Sequence, residues 1–355
     1  MPDKQLLTYY QSLPLSIKVL MSRERIREWY NHWDSRVCVS FSGGKDSTVL
    51  ADLVHRWYPE VPLLYINTGL EYPEVQTFAR RKGAVFIRPR LRFDEVISQY
   101  GYPLISKENS EAIQYCRRII HAGKAVNYEK SVLSSREAML NNTSKKFNRQ
   151  KWLPLTRETH FRISHYCCYM LKKSPVSTYQ KLERLQPILG TLAEESKLRE
   201  QVWLKHGCNI FEGRKIKSQP MSFWTEQDVL GYIKDQGLEI ASVYGDIIQD
   251  ESGTLKCSGC QRTGCIFCGF GAHLEKGETR FQRLARTHPR QYEYCMGGGQ
   301  WVDNPDYDPA LPKMDGNWEN WNPKQIWVPS KEGLGMKKVF DDVNEIYGKD
   351  FIRYE

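Results

Sequence analysis

Val37-Cys38-Val39-Ser40-Phe41-Ser42-Gly43-Gly44-Lys45-Asp46-Ser47 runs from an apolar stretch into a glycine pair, and Val49, Leu50, Leu53, Val54 and Trp57 follow at helical spacing. The apolar stretch predicts a strand and the spacing an amphipathic helix, so residues 42–47 form the turn between them. Two glycines let the backbone approach an anion closely, at a helix start whose N–H groups lack intrahelical partners. Ser42 and Ser47 add hydroxyl donors, and Lys45 adds a compact positive charge expected to stand exposed in the loop. This is the chemistry of a site for a phosphate chain. It differs from the Walker loop, which places four residues between its glycines where Gly43 and Gly44 have none.

Outward from this turn, residues 14–32 read as a helix with Ile17, Leu20, Met21, Ile26 and Trp29 as its apolar face. Leu63-Leu64-Tyr65-Ile66-Asn67 and Val85-Phe86-Ile87 read as further strands, with a helix starting at Pro73 between them. The pattern resumes at Pro187-Ile188-Leu189-Gly190, with a helix from about 192 to 205. Thr225-Glu226-Gln227-Asp228 resembles a capping box for a helix ending near Gly237. This alternation predicts an α/β fold, a parallel twisted sheet with helices on both faces and ligands at the carboxyl ends of the strands. Ser42 and Thr68 lie at such ends. Two regions break the rhythm. Residues 100–160 form a basic insertion, and beyond 296 come Gly297-Gly298-Gly299, later prolines and Trp301, Trp318, Trp321 and Trp327. That last region predicts an irregular tail wrapped on the body or on a partner. The expected division is a nucleotide-binding domain over 1–240 and a smaller cysteine-rich region with the Trp/Pro-rich tail over 241–355.

The chain has 355 residues, 40% hydrophobic and 26% charged, as a globular protein with a full core requires. It contains no apolar run of about 18 residues, and Met1-Pro2-Asp3-Lys4-Gln5 does not open a secretory leader, so a cytoplasmic protein without a membrane role is expected. The net charge of +9 favours a polyanionic partner. Arg117, Arg118, Lys124, Lys130, Arg136, Lys145, Lys146, Arg149 and Lys151 concentrate it in the stretch 117–151, either a solvated insertion or a contact for nucleic acid.

Ten cysteines in a cytoplasmic chain point to metal or sulfur chemistry rather than to disulfides. Cys257-Ser258-Gly259-Cys260 and Cys265-Ile266-Phe267-Cys268 are two C-x-x-C pairs, and Cys167-Cys168 stands upstream. C-x-x-C brings two thiolates from one turn to one metal, and the spacing leaves zinc and an iron–sulfur cluster both open. Cys38 reads as a small core residue, and Cys116, Cys208 and Cys295 read as structural. No histidine, His165 included, is assigned a catalytic role.

Ser42-Gly43-Gly44-Lys45-Asp46-Ser47 resembles the PP-loop of ATP pyrophosphatases, which cleave ATP between its α and β phosphates. Asn67-Thr68-Gly69 with Pro73-Glu74, and Gly190-Thr191-Leu192-Ala193-Glu194-Glu195-Ser196-Lys197-Leu198-Arg199, resemble the T-G-x-x-x-P-E and G-x-x-x-x-E-S-x-x-R segments of the phosphoadenosine phosphosulfate (PAPS) reductase superfamily. Cys167-Cys168-Tyr169-Met170-Leu171-Lys172-Lys173-Ser174-Pro175 is similar to the C-C-x-x-R-K-x-x-P element of adenosine phosphosulfate reductases. The reductases' late nucleophilic cysteine has no counterpart after Cys295. The nearer likeness is to reductase-like ATP pyrophosphatases, the DndC and SspD proteins of DNA phosphorothioation and the IbrA-type proteins, whose R-x-G-C-x-x-C segment is similar to Arg262–Cys268.

The resemblance implies an adenine nucleotide α-hydrolase-like fold that binds ATP and Mg²⁺ at Ser42, Gly43, Gly44, Lys45, Asp46 and Ser47. Thr68 and Gly69 would line the adenosine pocket, and Lys172, Glu194 and Arg199 would contact the nucleotide. Lys45, Asp46 and Arg199 are the expected catalytic groups. The resemblance further implies a [4Fe–4S] cluster on Cys167, Cys168, Cys265 and Cys268, with zinc as the alternative metal and Cys260 or Cys257 as the alternative fourth ligand. The expected function is adenylation in a sulfur-transfer pathway that modifies nucleic acid, with a cysteine desulfurase as sulfur donor and further pathway subunits. A sulfonucleotide reductase and a non-catalytic nucleotide-binding regulatory or defence subunit are the competing expectations.

Overall fold

The apolar runs become short strands: β1 (Val37–Ser40), β2 (Leu63–Ile66) and β3 (Val85–Ile87). The computed structural model describes residues 3–121, 150–156, 158–213, 215–310 and 321–355, so most of the basic stretch 117–151 lies outside the described residues. The chain forms two compact units of two segments each: Met1–Pro89 with Lys173–Gly264, and Arg90–Lys172 with Cys265–Glu355. The sequence reading had expected one boundary near residue 240.

In the first unit, helices α1 (Lys4–Ser12) and α2 (Leu15–His32) precede β1, α3 (Lys45–His55) follows it, and α4 (Pro73–Arg81) links β2 to β3. The second segment adds α5 (Ser174–Leu182), β4 (Gln186–Leu189), α6 (Lys197–His206), β5 (Asn209–Ile210), β6 (Lys217–Ser218) and α7 (Glu226–Gln236). A hairpin of β7 (Ile247–Gln249) and β8 (Leu255–Cys257) closes the unit. The six-stranded sheet has the order β3-β2-β1-β4-β6-β5. It is parallel apart from β5, which pairs antiparallel with β6. The expected α/β fold is therefore present, with a mixed rather than wholly parallel sheet. From β1 the chain runs outward through β2 and β3, and on its return builds the opposite side from β4. The order thus reverses between β1 and β4, and in such sheets the crevice outside that point takes the ligand.

Packing follows the apolar pattern on α3, where Val49, Leu50, Leu53 and Val54 are fully buried, and in β1, where Cys38 packs with Leu64 and Ile87 as a core residue. On α2 it does not. Ile17 and Leu20 are 42% and 54% exposed, while Lys18, Ser22, Ile26 and Trp29 face inward. A lysine holds a core position because its Nζ donates to Asp228 (2.6 Å) and to the Gln11 carbonyl (2.7 Å). Buried charge is tolerated only with such partners. Asp228 itself closes the Thr225 capping box three residues after the cap, and that helix ends at Gly237 in the left-handed conformation (φ +59°).

The second unit contains helices Phe93–Tyr100, Lys107–His121, Arg280–Thr287, Pro289–Met296 and Met336–Tyr347. Leu104–Ile105 pairs parallel with Gly269–Phe270, and Gln300–Asp303 pairs antiparallel with Gln325–Val328. The region beyond 296 is thus less irregular than its glycines, prolines and tryptophans suggest. Met336, Val339, Phe340 and Val343 recur at helical spacing and are all buried. Trp301 and Trp327 face each other across the two strands, with ring centroids 5.5 Å apart. Arg117, expected in a basic stretch that is either a solvated insertion or a contact for nucleic acid, is buried. It donates to the carbonyls of Leu155 (2.5 Å) and Phe161 (2.8 Å) and lies 4.3 Å from the Trp321 ring centroid.

Lys18→Ala should destabilise the protein by about 3 kcal/mol, because it strands a nearly buried carboxylate. Adding Asp228→Asn should recover part of the loss. Denaturant titrations of the single and double variants check this, and an unchanged midpoint for Lys18→Ala would refute it.

Candidate functional site

The turn after β1 is braced by its own side chains. Ser47 Oγ donates to the Gly44 carbonyl (2.9 Å) and lies 3.1 Å from Ser42 Oγ, and Thr48 Oγ1 donates to the same carbonyl (2.9 Å). Gly43 has φ +69°, and a Cβ there would come within 2.7 Å of Val75 Cγ1. Only glycine combines that conformation with that approach. Gly190, after β4, is required for a different reason: a Cβ would stand 2.9 Å from the Asp46 carbonyl oxygen. The residue after β4 is therefore in close backbone contact with the first turn of α3.

A cleft opens here, lined by Ser42, Gly44, Lys45, Asp46, Leu192, Glu194, Glu195, Glu226, Tyr244, Gln261, Arg262 and Thr263. Four of the six loop residues predicted from sequence line it. Gly43 and Ser47 shape the turn from behind. Lys45 is not exposed as expected but 4% accessible. Its Nζ donates to the Glu226 carboxylate and to the Gln261 carbonyl (2.8 Å). Arg199, at the start of α6, pairs with Glu195, whose other oxygen lies 3.8 Å from Arg262. Glu194 accepts the backbone N–H of Glu226. Thr68 and Gly69 do not line the cleft, and the Thr68 hydroxyl donates to Glu71 (2.8 Å). Lys172 belongs to the second unit.

Glu226, Tyr244, Gln261 and Thr263 are cleft residues that the sequence reading did not single out. Glu226 appears there only within the capping box, and Arg262 and Thr263 only as part of a cysteine motif. Burial raises the carboxyl pKa of Asp46, with Lys45 opposing and Glu226 reinforcing the rise. Burial likewise raises Glu194. The Arg199 guanidinium is shifted down by burial and then by the charge of Arg262. Burial pushes the Tyr244 hydroxyl up to about 12, and that hydroxyl bonds Thr263 Oγ1 at 2.6 Å. The cleft thus presents a glycine-rich loop, Lys45 and Arg262 among four carboxylates, and Arg199 reaches it only through its pair with Glu195.

The cysteines divide between the units. Cys257 and Cys260 are buried in the first, where burial raises the Cys257 thiol and Lys45 opposes the rise. Cys167, Cys168, Cys265 and Cys268 all belong to the second. There the Cys167 thiol is raised by its hydrogen bond to Cys168, and Cys168 is lowered by that bond, with Lys107 and Lys172 assisting. Cys265 and Cys268 also bear on Cys167, so the four thiols lie within electrostatic reach of one another. Cys268 N–H closes a turn onto the Cys265 carbonyl (3.1 Å). Two thiols at a helix start and two on a short turn are a donor set that fits zinc or an iron–sulfur cluster. Among the described residues, no three His, Cys, Asp or Glu side chains stand in a ligating arrangement. No helix among them is long and apolar enough to cross a membrane.

Comparison with known proteins places this architecture. The chain is 22% identical over 208 residues to a sulfate adenylyltransferase subunit 2 of Hyphomonas neptunium, covering 58% of this chain and 54% of that protein. It is 23% identical over 223 residues to the subunit of the same name from Marinomonas sp. (62% and 63%), and 24% identical over 208 residues to that of Escherichia coli O9:H4 (58% and 58%). The chain therefore spans between 54% and 63% of these relatives' length. A crystal structure of a PAPS reductase from Candida auris in complex with phosphate aligns over 72% of this chain and 98% of that one, at 12% identity and a TM-score of 0.34. The model of the phosphoadenosine phosphosulfate reductase domain matches residues 36–84 and 84–269, from β1 through both C-x-x-C pairs. The chain belongs to the phosphoadenosine phosphosulfate reductase domain family.

Proposed function

We propose that this protein binds ATP with Mg²⁺ at residues 42–47 and transfers AMP to an oxygen of an acceptor, releasing pyrophosphate. Adenylation is the activating step of a sulfur transfer, and nucleic acid is the acceptor class that the basic composition favours. The observation that carries the reading is Lys45, a buried ammonium at the start of α3 in a cleft that also holds Arg262. The name of the relatives, sulfate adenylyltransferase, agrees with adenylyl transfer. Their designation as subunit 2 agrees with a partner protein, for which a sulfur-donating desulfurase is the fitting kind.

In this reading, the loop N–H groups and Lys45 hold the β and γ phosphates and leave the α-phosphorus open to the acceptor oxygen. Attack forms the new P–O bond and breaks the bond to pyrophosphate. Charge developing on pyrophosphate meets donors already fixed in place, Lys45, the first N–H groups of α3 and Arg199. Asp46 would hold Mg²⁺ against the phosphates. Cys167, Cys168, Cys265 and Cys268 would hold an iron–sulfur cluster, which supplies sulfur binding, electron transfer or fold stabilisation. The competing reductase reading needs a mobile thiolate that attacks sulfate sulfur. Cys295 does not meet that need, since it is fully buried with its Sγ 3.4 Å from Met336 Sδ.

Lys45→Ala should abolish ATP-dependent pyrophosphate release and weaken ATP binding by about 1.5–3 kcal/mol, roughly 10- to 150-fold. An unchanged release rate would refute the loop assignment. Sulfite release from PAPS with a thiol donor would favour the reductase reading instead.

Asp46→Asn separates stability from function. A buried carboxyl whose folded pKa is raised binds its proton more tightly folded than unfolded, so its ionised form destabilises the fold above that pKa and the penalty fades as pH falls through it. The variant should therefore be more stable than wild type at neutral pH, with the difference closing in acid, while turnover drops. Denaturation at neutral and acid pH, with a pyrophosphate assay, checks both. Lower stability at neutral pH would contradict the burial argument.

Purified without oxygen, the protein should be brown and carry about four iron per chain. Cys168→Ser should bleach it and Cys257→Ser should not. Iron and zinc analysis decides the matter, and one tight zinc in a colourless protein would overturn the cluster.

A further inference from the structure

The cleft holds a carboxylate where the proposed function needs a phosphate. Lys45 Nζ donates to Glu226 and to the Gln261 carbonyl, and its ammonium is otherwise out of water. A buried ammonium requires an anion, and Glu226 supplies it. The Glu226 side chain is 39% exposed, so it has solvent on its other side. Its backbone is fixed independently. The Glu226 N–H is bonded to Glu194, and the start of α7 is capped by Thr225 and Asp228, with Asp228 anchored by Lys18. The carboxylate can therefore rotate away from Lys45 without disturbing the helix that carries it.

We propose that Glu226 is the gate of the phosphate site. It neutralises Lys45 while the cleft lacks nucleotide, and it yields that position when a nucleotide phosphate arrives. Glu226 is a positioning residue that acts through Lys45, and this role rests on the ATP reading above. Entry of ATP exchanges one anion for another on the same ammonium, so affinity for phosphate is set by the difference between the two contacts. Gln261 keeps its carbonyl on Lys45 in either state and prevents the side chain from being stranded. The gate discriminates by phosphate alone: a ligand without phosphate has no reason to displace Glu226.

Calorimetric titration of the full chain with ATP and with adenosine tests this, using wild type, Glu226→Gln and Glu226→Asp. Glu226→Gln removes the competing charge and keeps the shape, so ATP should bind roughly tenfold tighter, with adenosine affinity unchanged. Glu226→Asp keeps the charge but shortens the reach, so its ATP affinity should lie between the other two and provide the reading if the Gln variant does not fold. Equal or weaker ATP binding by Glu226→Gln, with wild type binding ATP, overturns the gate and leaves the phosphate site standing. An equal gain for ATP and adenosine also overturns it. If no form binds ATP, the phosphate-site reading fails and the gate falls with it.

Discussion

The ammonium of Lys45 is withdrawn from water at the first position of α3, and the surroundings of the cleft are arranged around that charge. It sits where the sheet order reverses between β1 and β4. There the close approach of Gly190 to the Asp46 carbonyl leaves room for backbone alone. A cation in that place adds to the positive end of the helix, so the site has a strong demand for anions. Glu226, the Gln261 carbonyl and, more distantly, Asp46 meet the demand from within the chain. Such an arrangement serves an anionic ligand better than it serves stability. A lysine at a helix start with partners drawn from a carboxylate 181 residues away and a carbonyl 216 away contributes little that an apolar residue could not.

The parts legible in the sequence were those set by short-range rules. The strands at 37–40, 63–66 and 85–87, the capping box at Thr225 and its end at Gly237 all follow from apolar runs and local turn chemistry. Ser42, Gly44, Lys45 and Asp46 were placed by their position between strand and helix. What escaped depends on partners distant in sequence. Lys18 looks like a surface residue until Asp228, 210 positions later, neutralises it, and its burial turns Ile17 and Leu20 outward. Glu226 looks like an ordinary acidic residue in a first helical turn. Only the fold brings it to Lys45.

The tail shows a second kind of miss. Glycine, proline and tryptophan between 297 and 329 read as punctuation, and they masked the spacing of Met336, Val339, Phe340 and Val343. Gly298 and Gly299 serve packing. A Cβ on Gly298 would collide with the Gly333 backbone, and one on Gly299 with the Trp327 ring. Residues that seem to break structure locally allow close contact between segments instead.

The charge balance of the cleft bears on the form in which a nucleotide would enter. Asp46 and Glu194 are both raised by burial, and Glu226 reinforces each rise. A bare triphosphate would bring more negative charge to carboxylates that already resist ionisation, and repulsion at short range in a partly dry site is large. A divalent cation travelling with the phosphates reverses that sign, because the same carboxylates then stabilise the complex. Arg199 and Arg262 face the opposite requirement. They share Glu195 as a carboxylate partner, and the Arg262 side chain, which lines the cleft, is 63% exposed and so open to a phosphate oxygen. Carboxylates that suit a metal, with Lys45 and Arg262 that suit an oxyanion, in one cleft match the two ends of a metal-bound polyphosphate better than they match either ion alone.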